Sequence, residues 1–384
     1  MRIAVDYRVA NLGVSDGNSA VARLAVRALR KANTSNEIIC ITDRGPEREV
    51  PDGVAISVSR PLPFLNGLAA SLVGGDPWYR FRLAMNANWR NADVAIRTAH
   101  EQSPLMDGPP LIVMVYDLAF LKGRASEFFS SELAGHLDKW TSINVHRADH
   151  VVTISDFVRE DVLDIYGLSE DRVTTVRLVH NADIFHDKYE DSVVRKTLKQ
   201  NGIESPFFLH VGTRQPRKNI EIVEKAFREF CDREIADHVL VEVGAVGWDA
   251  GITRDSNSDN SANDRILRLR IKDDQELAHI MKGATALVMA GVDEGFGLPG
   301  LESMACGTPV LAADSGALPE VVGEAGSLFA QDDSSGLFQL MKQMCSDRVR
   351  ASKSTLGVVR AAEFAERRYG EELLEVISRT ANRD

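Results

Sequence analysis

The stretch with the clearest chemical content is DEGFGLPGLESMACGTP, residues 293–309, where two carboxylates, Glu294 and Glu302, bracket three glycines and Pro299. Glycine lets a backbone approach a ligand closely, and a helix start offers unpaired N–H groups to an anion. A carboxylate only accepts hydrogen bonds, so hydroxyl donors are its natural partners in such a place. The combination suits a ligand that is both phosphate and polyol, with backbone amides on the phosphate and a glutamate on each set of hydroxyls. A lone glutamate would read as a solvated surface group. The joint pattern at a strand-to-helix junction does not.

Several elements must position this stretch. ALVMA (286–290) reads as a strand, so GVDEGFGL is the loop at its carboxyl end, where α/β sheets bind ligands. Pro299 suits the first turn of a helix and Gly307 the residue just past its end. Glu294 then precedes the helix, and Glu302 lies roughly one turn, about 5 Å, along it. The rest of the chain repeats the same alternation of short apolar, β-branched runs with longer helical segments, the pattern of parallel sheets covered by helices. Strands are expected at 2–7, 37–43, 54–59, 93–98, 111–117, 150–155 and 173–178, with helices notably at 18–32 and 126–148. A charged segment near 184–205 ends this first half, and strand 207–212 starts the alternation afresh. Helix 218–231, strands 238–244, 265–270, 286–290, 309–313 and 326–330, helix 274–283 and final helices 335–345 and 357–381 follow. The polar loop 252–264 lacks an apolar anchor and is expected to be mobile. Two doubly wound domains in tandem, with an active site between them, is the architecture this pattern implies.

Composition narrows the function. A chain of 384 residues suits two domains, each able to bury its own core. The net charge of −11, with 20 Lys+Arg against 23 Asp+Glu up to residue 184 and 25 against 33 beyond it, argues against general nucleic-acid binding. Cys40, Cys231, Cys306 and Cys345 have neither CxxC nor metal-ligand spacing and read as reduced cytosolic thiols. MRIAVDYRVA carries Asp6 inside its apolar run and reads as a strand, not a signal peptide. No apolar run approaches the roughly 20 residues that span a bilayer, which leads to the expectation of a cytoplasmic protein. The mixture of apolar residues with Arg80, Arg82 and Arg90 in 61–90 adds an optional peripheral contact with the inner membrane, ordinary helix packing being the favoured reading.

EGFGLPGLE and the following SMACGTPVLAADSGALPEVVG resemble the E-x7-E signature of family 4 of the retaining glycosyltransferases. FFLHVGTRQPRKNIEIVEKAF (207–227) is similar to that family's diphosphate-binding strand–loop–helix, and 150–185 to the segment that closes its first domain. The nearest pattern is that of bacterial mannosyltransferases of surface polysaccharide and lipopolysaccharide assembly, which often carry a Gly-Trp pair where this chain has Gly247 and Trp248. The resemblance implies the GT-B fold: two Rossmann-like domains facing across a cleft, with the C-terminal helix returning to the N-terminal domain. Its domains would be 1–185 (acceptor-binding), a linker at 186–205, 206–356 (nucleotide-sugar-binding) and a terminal helix at 357–384.

The resemblance also assigns roles by position. Glu294 holds donor-sugar hydroxyls near the anomeric centre, the backbone of Phe296, Gly297 and Leu298 faces sugar and phosphates, and Glu302 accepts from the ribose. Lys218, with Arg217 beside it, holds the diphosphate next to Gly212 and Thr213 and stabilises the charge that grows on the leaving group. A cation at a helix start opposes the helix dipole, which favours this functional reading of RKN. No Asp-x-Asp pattern occurs, so neither metal nor other cofactor is expected. Four positions depart from the family pattern. Tyr116, before Asp117, stands where many relatives have His, and a tyrosine is no base near neutral pH. Thr213 stands where many have Arg, leaving Arg214 to supply that cation. Gly17 and Asn18 replace a paired-glycine phosphate turn, and HNADIF replaces Asn-Gly-Val-Asp. His100 is a candidate for the acceptor side, a structural histidine being the commoner case. The expected activity is transfer of a hexose, mannose from GDP-mannose by preference, to a growing glycan, lipid-linked ones included. The alternatives are a transferase using UDP-glucose or another nucleotide sugar, and a nucleotide-sugar-binding partner subunit without turnover. An NAD-linked dehydrogenase is excluded by the lack of G-x-G-x-x-G after the first strand.

Overall fold

The computed structural model describes residues 1–9, 17–32, 35–43, 53–58, 82–102, 108–121, 123–234, 237–244 and 265–382. The chain forms two compact units, one of Met1–Lys122, Phe129–Leu178 and Glu366–Asp384, the other of Gly123–Phe128 and Val179–Ala365.

The first unit is built on a parallel sheet of seven described strands: β1 (Arg2–Asp6), β2 (Glu37–Thr42), β3 (Ala55–Val58), β4 (Val94–Arg97), β5 (Leu111–Val115), β6 (His150–Thr153) and β7 (Val173–Thr175). Their order is β3-β2-β1-β4-β5-β6-β7, so the direction of winding reverses between β1 and β4. Central strands β4, β5 and β6 are buried almost throughout, which is why they read as unbroken apolar runs. Helix α1 (Gly17–Ala32) covers this sheet, and α2 (Ser131–Arg147) and α3 (Asp156–Tyr166) are capped by the hydroxyls of Ser130 and Ser155, which accept from Leu133 N and Val158 N at 3.2 Å each. The expected helix over 126–148 therefore begins only at Ser131, after a separate 3₁₀ turn at Arg124–Phe128.

The second unit has six described strands: β8 (Phe207–Val211), β9 (Val239–Val243), β10 (Ile266–Leu269), β11 (Ala286–Met289), β12 (Val310–Ala313) and β13 (Ser327–Phe329). They are parallel in the order β10-β9-β8-β11-β12-β13, with the reversal between β8 and β11. Every strand read from the sequence is present. Segment 186–205 is not a bare linker, because it contains α4 (Asp191–Gln200), packed on the later helix 274–283 through Thr197 Oγ1 and His279 Nδ1 at 2.9 Å. Helices α5 (Ile220–Arg233), α6 (Asp274–Gly283), α7 (Leu298–Ala305), α8 (Leu318–Val322), α9 (Ser334–Met344) and α10 (Asp347–Ala362) complete the unit.

The chain end also differs from the single helix expected over 357–381. Helix α10 stops at Ala362, and α11 (Glu366–Ala381) starts afresh. Phe364, between them, is buried edge-on against Phe296 at 6.0 Å, and the Arg360 guanidinium lies over its ring, so the break is fixed by packing within the second unit. Helix α11 instead packs on α1 in the first unit, with Glu366 bridging Arg27 (2.5 Å) and Lys31 (2.9 Å). The loop 10–16, the Arg80 region, Gly247–Trp248 and the polar loop 252–264 lie outside the described residues.

Candidate active site

At the carboxyl edge of the second sheet, two loops on either side of its winding reversal meet, as ligand sites of such sheets do. The first follows β8. Gly212, Thr213 and Arg214 lead into a 3₁₀ turn, Pro216–Lys218, and Asn219 (φ 50°) then starts α5. Lys218 therefore precedes α5 rather than belonging to it, as the expected helix 218–231 had it. The second loop follows β11 and enters α7 through Gly297, whose φ of 92° suits glycine and few other residues. Pro299 lies in the first turn, and Gly307 (φ 76°) follows the Cys306 cap, as their types imply.

Charge joins the two loops. Lys218 Nζ lies 2.6 Å from Glu294 Oε1, Arg217 Nη1 lies 3.9 Å from Oε2, and Val292 N donates to Arg217 O at 2.8 Å. Glu294 is buried. Burial alone would push its carboxyl up, but the Lys218 ammonium and Arg217 guanidinium outweigh it and hold the group below the usual carboxylate range. Asp293, in the left-handed region at φ 49°, donates its N–H to Ser315 Oγ at 3.0 Å, while Ala317 N donates to Glu294 O at 2.8 Å. The backbone is thus held from both sides where the carboxylate enters.

Along α7, the Gly300 N–H turns back to Gly297 O at 2.9 Å. No hydrogen bond to a described residue engages the N–H of Phe296, Gly297 or Leu298. Phe296 itself is buried against Phe364, so only its backbone serves this edge. Glu302 is half-buried on α7, and burial together with the Asp274 carboxylate raises its proton affinity well above that of an ordinary glutamate. The two glutamates differ accordingly: Glu294 is an anion fixed by cations, and Glu302 retains a proton readily.

His210, on β8, is a site residue that the sequence reading missed. It is buried, its Nδ1–H donates to Val288 O at 3.1 Å, and its pKa falls to about 4, chiefly by burial. It therefore stands as a neutral imidazole beside the Lys218–Glu294 pair. Its only trace in the sequence is a polar residue inside the apolar run FFLHVG.

The remaining candidates belong to the first unit. Tyr116 is buried, with its hydroxyl donating to Thr98 O at 2.5 Å and its ring edge-on to His100 at 6.0 Å. Thr98 Oγ1 donates to Asp6 O at 2.7 Å, and Asp6 is gripped by Arg8 through two 3.0 Å hydrogen bonds. Fully buried Arg97 lies 3.8 Å from Asp6 and donates from Nε to Ala99 O at 2.8 Å. This buried polar row was not legible in the sequence. His100 is buried too, with Nδ1 3.1 Å from Thr141 Oγ1. Half-buried Asp117 accepts from Ala119 N at 3.3 Å. Gly17 and Asn18 open α1. Among the described residues no group of three or more His, Cys, Asp or Glu side chains could hold a metal ion, and no helix is long and apolar enough to cross a membrane.

Two Rossmann-like α/β domains, with a cation–glutamate pair at a loop-to-helix junction of the second, define the GT-B class of glycosyltransferase. The fold agrees with solved structures over nearly the whole chain. It matches a sucrose-phosphate synthase from Thermosynechococcus elongatus with TM-score 0.75 at 17% identity, covering 99% of this chain and 98% of that one. It also matches Anabaena HepE in complex with UDP-glucose, with TM-score 0.73 at 15% identity, covering 98% and 99%. Residues 16–181 match the model for Glycosyltransferase Family 4 and residues 194–355 that for Glycosyl transferases group 1, so the chain belongs to the family 4, group 1 glycosyltransferases. Among curated proteins it is 25% identical over 240 residues to an O-antigen chain mannosyltransferase B of Escherichia coli, a match covering 62% of this chain and 63% of that protein.

Proposed function

We propose that this chain is a retaining glycosyltransferase that moves a hexose from a nucleotide-sugar donor to a growing glycan, with GDP-mannose as donor. The observation that carries the reading is the 2.6 Å pair of Lys218 and Glu294 at the entrance to α7. A nucleoside diphosphate leaving an anomeric carbon gains negative charge. Lys218, Arg217 and the N–H groups of Gly297 and Leu298 are fixed donors and cations for that charge. They are already oriented before the substrate arrives, Lys218 by Glu294 and Arg217 by the Asp293 carbonyl at 3.5 Å. Glu294, kept ionised by its cations, accepts hydrogen bonds from sugar hydroxyls, and Glu302 takes the ribose. With no side chain assigned as nucleophile, retention follows from attack and departure on one face, the departing phosphate taking the acceptor proton.

Mannose is supported by the O-antigen chain mannosyltransferase among the relatives. UDP-glucose is the competing donor, since HepE shares the fold and was solved with it. The base and the sugar are separated by one experiment: donor hydrolysis and thermal shift with a panel of nucleotide sugars, Glu294→Ala alongside. GDP-mannose should stabilise the protein and turn over slowly, with turnover lost in the variant. Stabilisation by UDP-glucose alone would replace the donor assignment, and no shift with any nucleotide would sink the transferase reading. The O-antigen chain mannosyltransferase also supports a growing glycan as acceptor; that this glycan is lipid-linked, at the inner membrane, is part of the proposal.

A further inference from the structure

Resting on that reading of the phosphate loop, we infer that Glu242 is a positioning residue: it holds the Arg214 guanidinium at the mouth of the loop as a further cation for the donor diphosphate.

Strands of a sheet covered on both faces are normally apolar throughout, yet β8, β9 and β10 place His210, Glu242 and Arg268 in register, side by side across three parallel strands. Glu242 is 4% exposed. A carboxylate at that depth carries a desolvation cost of several kcal/mol unless paired, and burial raises its proton affinity in spite of the cations around it. Two guanidinium groups converge on one of its oxygens: Arg268 Nε donates to Oε2 at 3.1 Å, and Arg214 Nη2 lies 3.2 Å from the same atom.

Arg268 does not need Glu242. Its Nη2 already donates to Glu224 at 2.9 Å, and Glu224 also accepts from Arg228 at 2.7 Å. Had Glu242 served only the sheet, an apolar residue like its neighbours Val241 and Val243 would fill the place at lower cost. What Glu242 adds is a hold on Arg214, which reaches it from the loop after β8. The backbone brings the two together: Gly212 N donates to Val243 O at 2.9 Å, and a Cβ on Gly244 would lie 1.9 Å from Gly212 O, so the end of β9 abuts the loop directly.

The charges also suit a cation that turns outward. Glu224 and Glu242 face Arg214, Arg228 and Arg268, two negative groups against three positive. If Arg214 shares its charge with a diphosphate, Glu242 keeps Arg268 and Glu224 keeps Arg228 and Arg268 as cationic partners. Held through Nη2, the fork keeps further N–H groups for phosphate oxygens, the geometry for which arginine is suited.

Calorimetric binding of GDP, UDP and the matching monophosphates to the full chain tests this. Arg214→Gln and Glu242→Gln should each weaken diphosphate binding about tenfold, roughly 1.4 kcal/mol, with monophosphate binding changed less than twofold. The double variant should bind the diphosphate no more weakly than Arg214→Gln alone. Equal losses for mono- and diphosphate, or a further loss when Glu242→Gln is added to Arg214→Gln, would overturn the inference by showing that Glu242 acts through the sheet. So would an unchanged diphosphate affinity in Arg214→Gln, a half-exposed loop change that keeps the buried row intact should Glu242→Gln fail to fold. Failure of the wild type to bind any nucleoside diphosphate is a separate result that removes the transferase reading and this inference together.

Discussion

Lys218 Nζ and Glu294 Oε1 are 2.6 Å apart although 76 positions separate them in the chain, and the carboxylate is buried. The pair ties the loop after β8 to the loop after β11 and sets the charge of both. Removing one partner strands the other. Lys218→Met should cost about 3–5 kcal/mol of stability at neutral pH and abolish transfer. The sign with pH follows from the lowered pKa of Glu294. The contribution of the pair is complete above the ordinary carboxylate range and is lost as pH falls through the folded-state pKa. The difference between wild type and Lys218→Met in chemical denaturation should therefore shrink toward acid pH; a constant difference would remove the pair as its source.

His210 carries a second acid-sensitive contribution. Its pKa is lowered from 6.5 to about 4, so the folded state favours the neutral ring, and the stability so gained is present above pH 6.5 and lost on acidification through about pH 4. That displacement corresponds to about 3 kcal/mol. His210→Asn, which keeps an N–H for the Val288 carbonyl, should flatten this part of the pH–stability profile. An unchanged profile would place the titration elsewhere.

Tyr116 stands where a histidine is usual in the family, but its hydroxyl is spent on the Thr98 carbonyl. Tyr116→Phe should lower stability by about 1 kcal/mol and leave the KM for the donor within twofold. A tenfold rise in KM would show that the hydroxyl reaches the donor instead.

Gly297 opens α7 at φ 92°, and a Cβ there would lie 2.5 Å from Leu318 Cδ2. Gly297→Ala should lower stability by about 1–3 kcal/mol and reduce donor affinity, because the amides proposed to bind the phosphates shift with the turn. Thermal unfolding with and without nucleoside diphosphate separates the two effects. A variant as stable as wild type would mean that the turn tolerates the strain.

On the proposed function, Lys218, Arg217 and the amides of the two loops take the charge of the diphosphate without a divalent ion. Transfer rates should be unchanged within twofold by EDTA and by added magnesium or manganese. A tenfold loss on chelation, restored by either ion, would refute metal independence.

Much of this protein was legible before any coordinate. The central strands are short, apolar and β-branched because they are buried on both faces. That burial leaves its mark in β4, β5, β6, β11 and β12, whereas edge strand β3 is largely exposed. Pro299 and Gly307 announced the ends of α7, since backbone conformation is a local property. Glu294 and Glu302 stood out as candidates by type and spacing, and Lys218 through the family resemblance. Local patterns could not show where a helix finds its partner. DSVVRKTLKQ has a narrow apolar stripe that reads as a charged linker until α6 is set against it, and the break near Phe364 exists because that ring is buried against Phe296. Nor could they show which charges meet. His210 and Glu242 look like blemishes in apolar strands, and the register of three strands turns them, with Arg268, into a polar row. Sequence alone determined the elements and the chemistry on offer, because propensity and periodicity act over a few residues. Which cation faces which carboxylate was decided by tertiary structure alone, because ion pairing depends on distances of a few ångströms between residues tens of positions apart.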